Sequence, residues 1–299
     1  MSSTTTSTQQ ERIFVLGGTG TVGQIVTRSL LSKKVPVTLY VRSPAKAAAL
    51  FSSDPNLNIV QGGDYTDLAL LSSALPGHTR LFLLVTDLAH LPLYKENIAK
   101  QAYAAGIKQI VDLSCSFFNA AWRENYISYQ HELAERAILS IPNRGYAVSL
   151  RPTYFMSNMI VHYRPGHDSF SDFLAPDSPR SWVSPNDIAD VAVAILTDPD
   201  MEKHADGAYE LTSDVATPAR LMEILSHASG RPIAYKQITS LERYNALKDN
   251  IPWPFQGIFA LATQVETNAK VTTGISILLG REPESLEAYF AANKQGLIE

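Results

Sequence analysis

A glycine-rich turn lies directly between the first apolar run of the chain and its first amphipathic run, and this order restricts the possible folds more than any other feature. Residues 12–16 (RIFVL) are typical of a buried strand, and residues 22–31 carry apolar side chains at helical spacing. The turn between them, residues 17–23, reads GGTGTVG. A strand, a glycine turn and a helix in this order indicate the first unit of a dinucleotide-binding sheet.

The three spaced glycines of this turn have separate physical tasks. Gly17 supplies backbone freedom for the tight turn, Gly20 leaves the main chain bare beside a pyrophosphate, and Gly23 allows the helix to pack closely on the strand. The spacing departs from G-x-G-x-x-G, and a turn with only a structural role is the alternative. The helix that follows offers N–H groups to a phosphate. The residues expected to contact it are Gly17, Thr19, Gly20, Thr21, Val22 and Gly23.

Strand-like and helix-like segments alternate through the first half of the chain. Helical crossovers of this length connect parallel strands and build a right-handed, doubly wound sheet. We therefore predict an α/β fold of the Rossmann class. Its strands are expected at residues 12–16, 35–41, 58–60, 81–85, 109–113 and 146–150.

The alternation ends after Arg151. Residues 152–182 are irregular and rich in aromatic side chains, and most of the chain from residue 240 onward has a helical pattern. Because no Gly/Ser-rich linker divides the chain, we expect one compact unit. Its predicted parts are a disordered tail at 1–11, a dinucleotide-binding Rossmann domain at 12–151 and a small, mostly helical substrate lobe at 152–299.

Composition argues against several kinds of partner. The 299 residues carry a net charge of −4, which does not favour nucleic acid, and no 18-residue apolar run suggests a membrane span. The single cysteine, Cys115, excludes an intrachain disulfide and is consistent with a cytoplasmic protein and a structural thiol. The His162–His167 stretch lacks a third ligand at the usual spacing, so we expect no bound metal.

The end of the second strand indicates which dinucleotide is bound. NAD-binding folds usually place an acid there to hold the ribose hydroxyls, but residues 39–46 read LYVRSPAK and contain none. Arg42 and Lys46 suit a 2′-phosphate instead, so we predict NADP(H), with a solvated basic turn as the alternative. After the third strand, Asp64 could accept a hydrogen bond from the adenine amino group, with Tyr65 beside it.

Taken with these features, three later segments resemble the NmrA-like atypical short-chain dehydrogenases/reductases. They are residues 151–158 (RPTYFMSN), 181–190 (SWVSPNDIAD) and 280–283 (GREP), so the resemblance covers nearly the whole chain. It is greatest to fungal members of secondary metabolism, such as clavine-type dehydrogenases. The resemblance implies a nicotinamide over the carboxyl ends of strands four to six. Further cofactor contacts would then be Thr86, Pro152, Tyr154 and Phe155.

Reductases of this superfamily typically use Ser, Tyr and Lys, with the last two spaced as Y-x-x-x-K. Here Tyr126 is followed at that spacing by Gln130, and Tyr129 by Leu133. A neutral partner does not lower a tyrosine pKa as a cation would. His131, which Glu135 could orient, is the best substitute, although a solvated His–Glu pair is an equal alternative. The candidate catalytic residues are Ser114, Tyr126, Tyr129 and His131.

Three functions are compatible with this pattern. The first is an NADPH-dependent reductase of an activated C=N, C=C or C=O bond in a bulky hydrophobic natural product, in secondary-metabolite biosynthesis. An iminium carbon already attracts hydride, which would explain the missing lysine. The second is an NADP-binding isomerase or cyclase without net redox, and the third is a non-catalytic NADP-sensing regulator. A homodimer is left open.

Overall fold

A computed structural model describes residues 11–51, 54–62, 65–116 and 120–298. The predicted N-terminal tail up to residue 10 and Asp64 lie outside these ranges. The strands of the described chain are β1 Ile13–Leu16, β2 Val37–Val41, β3 Leu57–Gln61, β4 Arg80–Leu83, β5 Gln109–Leu113, β6 Tyr146–Pro152, β7 Tyr154–Phe155, β8 Ser169–Asp172, β9 Arg180–Val183, β10 Ala208–Leu211, β11 Asp214–Ala216 and β12 Ala234–Gln237.

The helices alternate with the strands in the first half of the chain and predominate toward its end. They are α1 Thr21–Ser32, α2 Pro44–Phe51, α3 Ala69–Ala74, α4 Leu91–Ala104, α5 Tyr126–Leu139, α6 Asn158–Val161, α7 Pro185–Thr197, α8 Pro218–Ser229, α9 Ser240–Leu247, α10 Phe255–Thr263, α11 Gly274–Leu279, α12 Leu286–Ala292 and α13 Gln295–Ile298. No helix in these ranges is long and apolar enough to cross a membrane.

The predicted doubly wound parallel sheet is confirmed, and it has seven strands. Their order is β10-β6-β5-β4-β1-β2-β3, and all neighbouring strands are parallel. The central strands are buried on both faces because helices cover each side. Helices α1, α2, α7 and α11 pack on one face, and α3, α4 and α5 pack on the other.

The seventh strand comes from beyond residue 151, where we expected the lobe to begin. In β10, Leu211 lies beside Pro152 of β6 in parallel register. Helix α7 also packs on the sheet, since its apolar side chains, such as Ile188 and Ile195, are buried in the same core as Val15 of β1. The chain after residue 151 therefore supplies both the lobe and one edge of the Rossmann layer.

The remaining C-terminal elements form a lobe with its own apolar core. Short strands build two small sheets, ordered β11-β9-β7 and β12-β8, around which the lobe helices pack. Met156, Trp182 and Phe290 are among the buried side chains of this core. Because β7 follows β6 after a single residue, the lobe is attached directly to the carboxyl edge of the main sheet.

Candidate functional site

The glycine turn after β1 is too crowded for side chains at two of its positions. Gly17 has a φ of +78°, and a Cβ on it would lie 2.8 Å from the Cβ of Leu84. A Cβ on Gly23 would lie 2.2 Å from the carbonyl oxygen of Gly17. The turn therefore packs against the strand and the helix start closely enough to require glycine, which leaves a cradle lined by backbone.

The N-terminus of α1 is open at this cradle. Gly20 is the N-cap residue and has no side chain to accept a hydrogen bond from the first turn. Gly20 and Thr21 are exposed, whereas Val22 and Gly23 are buried against the sheet. N–H groups of a helix start that have no internal partner attract anions. The cradle and the helix start therefore fit the pyrophosphate of a dinucleotide.

Two cations lie exposed just beyond β2. Neither Arg42 nor Lys46 forms an ion pair with a carboxylate of the described residues. Burial raises the pKa of Tyr65 while the charge of Arg42 opposes that rise, so the two side chains lie near each other. The Tyr65 ring also lies 5.6 Å from the ring of Tyr94. This end of the cradle combines positive charge with aromatic surface, which suits a phosphorylated adenosine.

At the carboxyl end of β5, the hydroxyl of Ser114 is already engaged. It donates a hydrogen bond of 2.5 Å to the carboxylate of Glu135 on α5. Arg151 of β6 holds the same carboxylate through two contacts, from Nε at 3.0 Å and from Nη2 at 2.5 Å. Ser114 is 4% exposed and Glu135 6%. A buried serine, a buried carboxylate and a half-buried guanidinium are therefore linked by hydrogen bonds at the predicted nicotinamide edge.

His131 lies one turn before Glu135 on α5 but is not oriented by it. The Glu135 carboxylate is taken by Ser114 and Arg151, and the buried Nδ1 of His131 has no hydrogen-bond partner among the described residues. Burial, with the nearby charge of Lys95, holds the pKa of His131 well below its ordinary value of 6.5. The imidazole is therefore neutral at physiological pH.

Lys95 is the charged residue that sequence reasoning missed. It projects from α4, is fully buried, and places its Nζ 2.6 Å from Asp112 of β5 and 2.9 Å from the carbonyl oxygen of Leu113. Burial raises the pKa of Asp112, and Lys95 opposes that rise. The sequence feature that could have indicated this lysine is Asp112, which stands among apolar residues of β5, because a buried carboxylate needs a buried cation.

The other two predicted catalytic residues lie in the first turn of α5. Tyr129 packs edge-on against Trp122, with ring centroids 4.8 Å apart, and the Arg123 guanidinium lies 5.9 Å from its ring centre. Tyr126 packs against the core beneath α4 and α5. The helix start is anchored by Asn125, which caps it and donates a hydrogen bond to Gln264 at the end of α10.

The remaining predicted cofactor contacts follow β4 and β6. Thr86 is exposed beyond β4, and the carbonyl of Pro152 accepts a hydrogen bond of 2.9 Å from the N–H of Ser116. Phe155 packs against the main core. The ring of Tyr154 faces the lobe, since the Arg180 guanidinium lies 4.5 Å from its centre, and burial raises the pKa of Tyr154 to about 12.

Cys115, next to Ser114, is a poor nucleophile. Burial raises the pKa of its thiol far above the ordinary value, and the charge of Lys95 only partly offsets that effect. A thiol in this state stays protonated at neutral pH. In the described chain, no group of three or more His, Cys, Asp and Glu residues is close enough to hold a metal ion.

The chain is similar to known proteins of one family. A profile of the NmrA-like family matches residues 9–293. The chain is 31% identical over 278 residues to the (4-alkanoyl-5-oxo-2,5-dihydrofuran-3-yl)methyl phosphate reductase of Streptomyces griseus, covering 90% of this chain and 93% of that one. It is 31% identical over 233 residues to the NAD(P)H azoreductase of Xenophilus azovorans, covering 76% and 77%.

Among solved structures, the NADPH complex of an NADPH-dependent quinone oxidoreductase from Escherichia coli has a TM-score of 0.76 at 23% identity. The match covers 94% of this chain and 99% of that one, which establishes a shared fold. The predicted closeness to fungal clavine-type dehydrogenases is not tested by these matches and stays a prediction.

Proposed function

Because this chain belongs to the NmrA-like family, we propose that it is an NADPH-dependent reductase of an activated C=N, C=C or C=O bond in a bulky hydrophobic small molecule. The nicotinamide supplies a hydride when NADPH is bound. Two relatives at about a third identity, one named as a reductase and the other as an NAD(P)H azoreductase, support this assignment over a purely regulatory role. Secondary-metabolite biosynthesis is the setting we propose for the substrate.

Different residues of the protein bind different parts of the dinucleotide. The backbone of the glycine turn and the start of α1 hold the pyrophosphate, and Arg42 and Lys46 hold the 2′-phosphate. Tyr65 is proposed to lie toward the adenine, and Asp64, which is outside the described residues, keeps its predicted contact with the adenine amino group. Thr86, Pro152, Tyr154 and Phe155 are the residues that we propose contact the nicotinamide end, Tyr154 with its ring turned toward the lobe. Arg42 is exposed and forms no ion pair with a carboxylate of the described residues, which supports NADP(H) over NAD(H), since a fork of N–H donors matches a phosphate.

The observation that carries the reductase proposal is the engaged hydroxyl of Ser114. Its hydrogen points to Glu135, His131 is neutral, and Lys95 is paired with Asp112, so none of these three side chains is a ready acid. A reaction at such an edge suits a substrate that is electrophilic before it binds. An acylated dihydrofuranone and an azo group, which the names of two relatives specify, are both conjugated acceptors.

An aromatic face beside α5 supports a hydrophobic substrate. On α10, Phe255 is 61% exposed and Phe259 is 53% exposed, with ring centroids 6.0 Å apart, and Tyr244 of α9 lies 5.7 Å from Phe255. The hydrogen bond from Asn125 to Gln264 joins this helix to the start of α5. Exposed apolar side chains grouped beside a site favour binding of an apolar ligand.

A panel of acceptors tests the proposal. The purified protein is mixed with NADPH and, in turn, a quinone, an azo dye, a conjugated enone and a cyclic iminium, and nicotinamide absorbance and product are followed together. We expect NADPH oxidation equal to product formed with at least one acceptor. Product without net oxidation would support an isomerase or cyclase, and tight NADPH binding without any reaction would support a regulator. Either result would contradict the reductase.

A further inference from the structure

A cavity in the lobe contains an arginine whose hydrogen-bonding groups are left unused. The cavity has a volume of about 490 Å³ and lies between the segment after α6 and helix α9. Arg243 lines it and is only 8% exposed, yet its side chain makes no hydrogen bond with any described residue, and its Nε is fully buried. Guanidinium groups carry five donors, and a buried one without acceptors is costly.

The charges around Arg243 leave a surplus of positive charge. Its closest carboxylate, Asp172, lies 3.4 Å from Nε, but the same carboxylate forms a 2.9 Å ion pair with Arg180. One buried acid thus faces two buried cations. The guanidinium of Arg243 is held in place by the Tyr163 ring, whose centre lies 4.6 Å away. Because this guanidinium is fixed in orientation and its charge is only partly balanced by Asp172, it is suited to bind a second anion.

The other residues that line the cavity also favour an anion. Arg164 and His162 line it together with the amide of Asn250, and no acidic side chain of the described residues does. The exposed acids nearest in sequence, Asp168 and Asp249, are not part of the wall. The His162–His167 stretch, in which we expected no metal, thus contributes the Arg164 guanidinium and the His162 imidazole to the wall of the cavity.

Both walls of the cavity extend from the carboxyl edge of the main sheet. The first wall begins at Val161, the end of α6, shortly after β6 and β7. The second ends at Ile251, two residues before Trp253, which packs in the core beneath α4 with Leu88 beyond β4. The two segments that line the cavity are thus joined in sequence to elements at the carboxyl edge, which is the ground for assigning the cavity to an arm of the substrate.

We propose that this cavity binds an oxyanion, a phosphate, sulfonate or carboxylate, carried on an arm of the hydrophobic substrate. Arg243 is the main ligand of the oxyanion, and Arg164 and Asn250 are secondary ones. This inference rests on the proposed function for its substrate, but the binding of an oxyanion to the cavity does not depend on turnover.

Calorimetric titration with inorganic phosphate tests the cavity itself. Saturating NADP⁺ is present so that the glycine turn and Arg42 are occupied. We expect Arg243→Gln to weaken phosphate binding about tenfold or more, and Arg164→Gln to weaken it severalfold. Arg243→Lys should retain part of the affinity, and Arg220→Gln, on the exposed face of α8, should leave it unchanged. Equal affinities in all variants, or no phosphate binding to the wild type, would overturn the proposal.

A matched pair of acceptors tests whether the oxyanion belongs to the substrate. KM is compared for a naphthoquinone and its sulfonate in the wild type and in Arg164→Gln, whose exposed position makes folding secure. We expect a lower KM for the sulfonate than for the parent quinone, and a severalfold smaller difference between the two KM values in the variant. Phosphate binding without a KM difference would contradict the substrate arm and indicate a separate anion effector. Turnover of neither quinone, with phosphate still bound, would instead count against the reductase alone.

Discussion

Ser114 donates its hydroxyl hydrogen to Glu135 across 2.5 Å, and both side chains are buried at the end of β5. Ser114 was a candidate catalytic residue, with a structural strand-end hydroxyl as the alternative. Its hydrogen instead belongs to a carboxylate that Arg151 also holds. The side chains at this edge of the sheet are therefore fixed by hydrogen bonds to one another. The proposed reaction then requires a hydride acceptor that reacts with little protonation by the enzyme.

Replacing Ser114 by alanine tests this relationship. Glu135 keeps both contacts with Arg151 in Ser114→Ala, so we expect kcat to fall less than about tenfold, whereas loss of a proton donor costs about a hundredfold or more. Steady-state turnover with the best acceptor measures it. Ser140→Ala, at the exposed end of α5, is the control. A hundredfold loss specific to Ser114→Ala would make its hydroxyl catalytic.

The pair of Glu135 and Arg151 is expected to matter for stability. Glu135→Gln removes the carboxylate that two donors of the half-buried Arg151 contact and leaves only the longer 3.7 Å contact with Glu210, so we expect the free energy of unfolding to fall by about 2 kcal/mol. Glu132→Gln, on the same helix, breaks a more exposed pair with Arg136 and should cost at most about 1 kcal/mol. Urea unfolding of the two variants makes the comparison. Equal losses would show that burial does not strengthen the Glu135 pair.

Several features of this site could be read from the sequence because they are local. The glycine turn, the alternation of strands and helices, and the missing acid after β2 each depend on neighbouring residues. The Ser114–Glu135–Arg151 network joins three separate elements, and no sequence spacing indicates it. Lys95 lies in a helix segment of mixed polarity, LYKENIAK, and only the aspartate of β5 explains its burial.

The lobe was less predictable for a related reason. Strand β7 is two residues long and β11 three, too short to display an alternating pattern. The place of β10 beside β6 depends on residues nearly sixty positions away. Pairing across such a separation is decided by packing, here by the apolar face of α7 against the sheet.

Stability should decrease as the pH falls through about 6.5. Burial keeps the pKa of His131 well below that of an unfolded imidazole, and burial also lowers the pKa of His78. The unfolded chain then takes up protons that the native protein does not, so the free energy of unfolding falls by up to about 1.4 kcal/mol per pH unit for each imidazole. His131→Gln should reduce this slope, because it removes the contribution of one of the two buried imidazoles.

Urea unfolding between about pH 7.5 and pH 5.5 measures that slope. His227→Gln, on the exposed surface of α8, is the control and should retain the wild-type dependence. The same slope in His131→Gln and in the wild type would mean that His131 takes up its proton in the native state. It could then serve as an acid after all.

Arg42 should distinguish the two dinucleotides. Removing its guanidinium takes away charge-assisted hydrogen bonds to a 2′-phosphate, so we expect Arg42→Ala to weaken NADPH binding about tenfold to a hundredfold and to leave NADH binding unchanged. Fluorescence titration with both cofactors gives the affinities, with Arg136→Ala as an exposed control on α5. Equal wild-type affinities for NADPH and NADH would contradict the assignment of the 2′-phosphate site.

The transfer of deuterium from NADPH to product tests the central claim most directly. NADPH deuterated at the transferable position of its nicotinamide is mixed with a conjugated enone or iminium acceptor, and the product is examined by mass spectrometry. The reductase proposed here should place one deuterium on the acceptor carbon for each NADPH oxidised. Product that carries no deuterium, formed while NADPH remains intact, would contradict a reductase and favour a reaction without net redox.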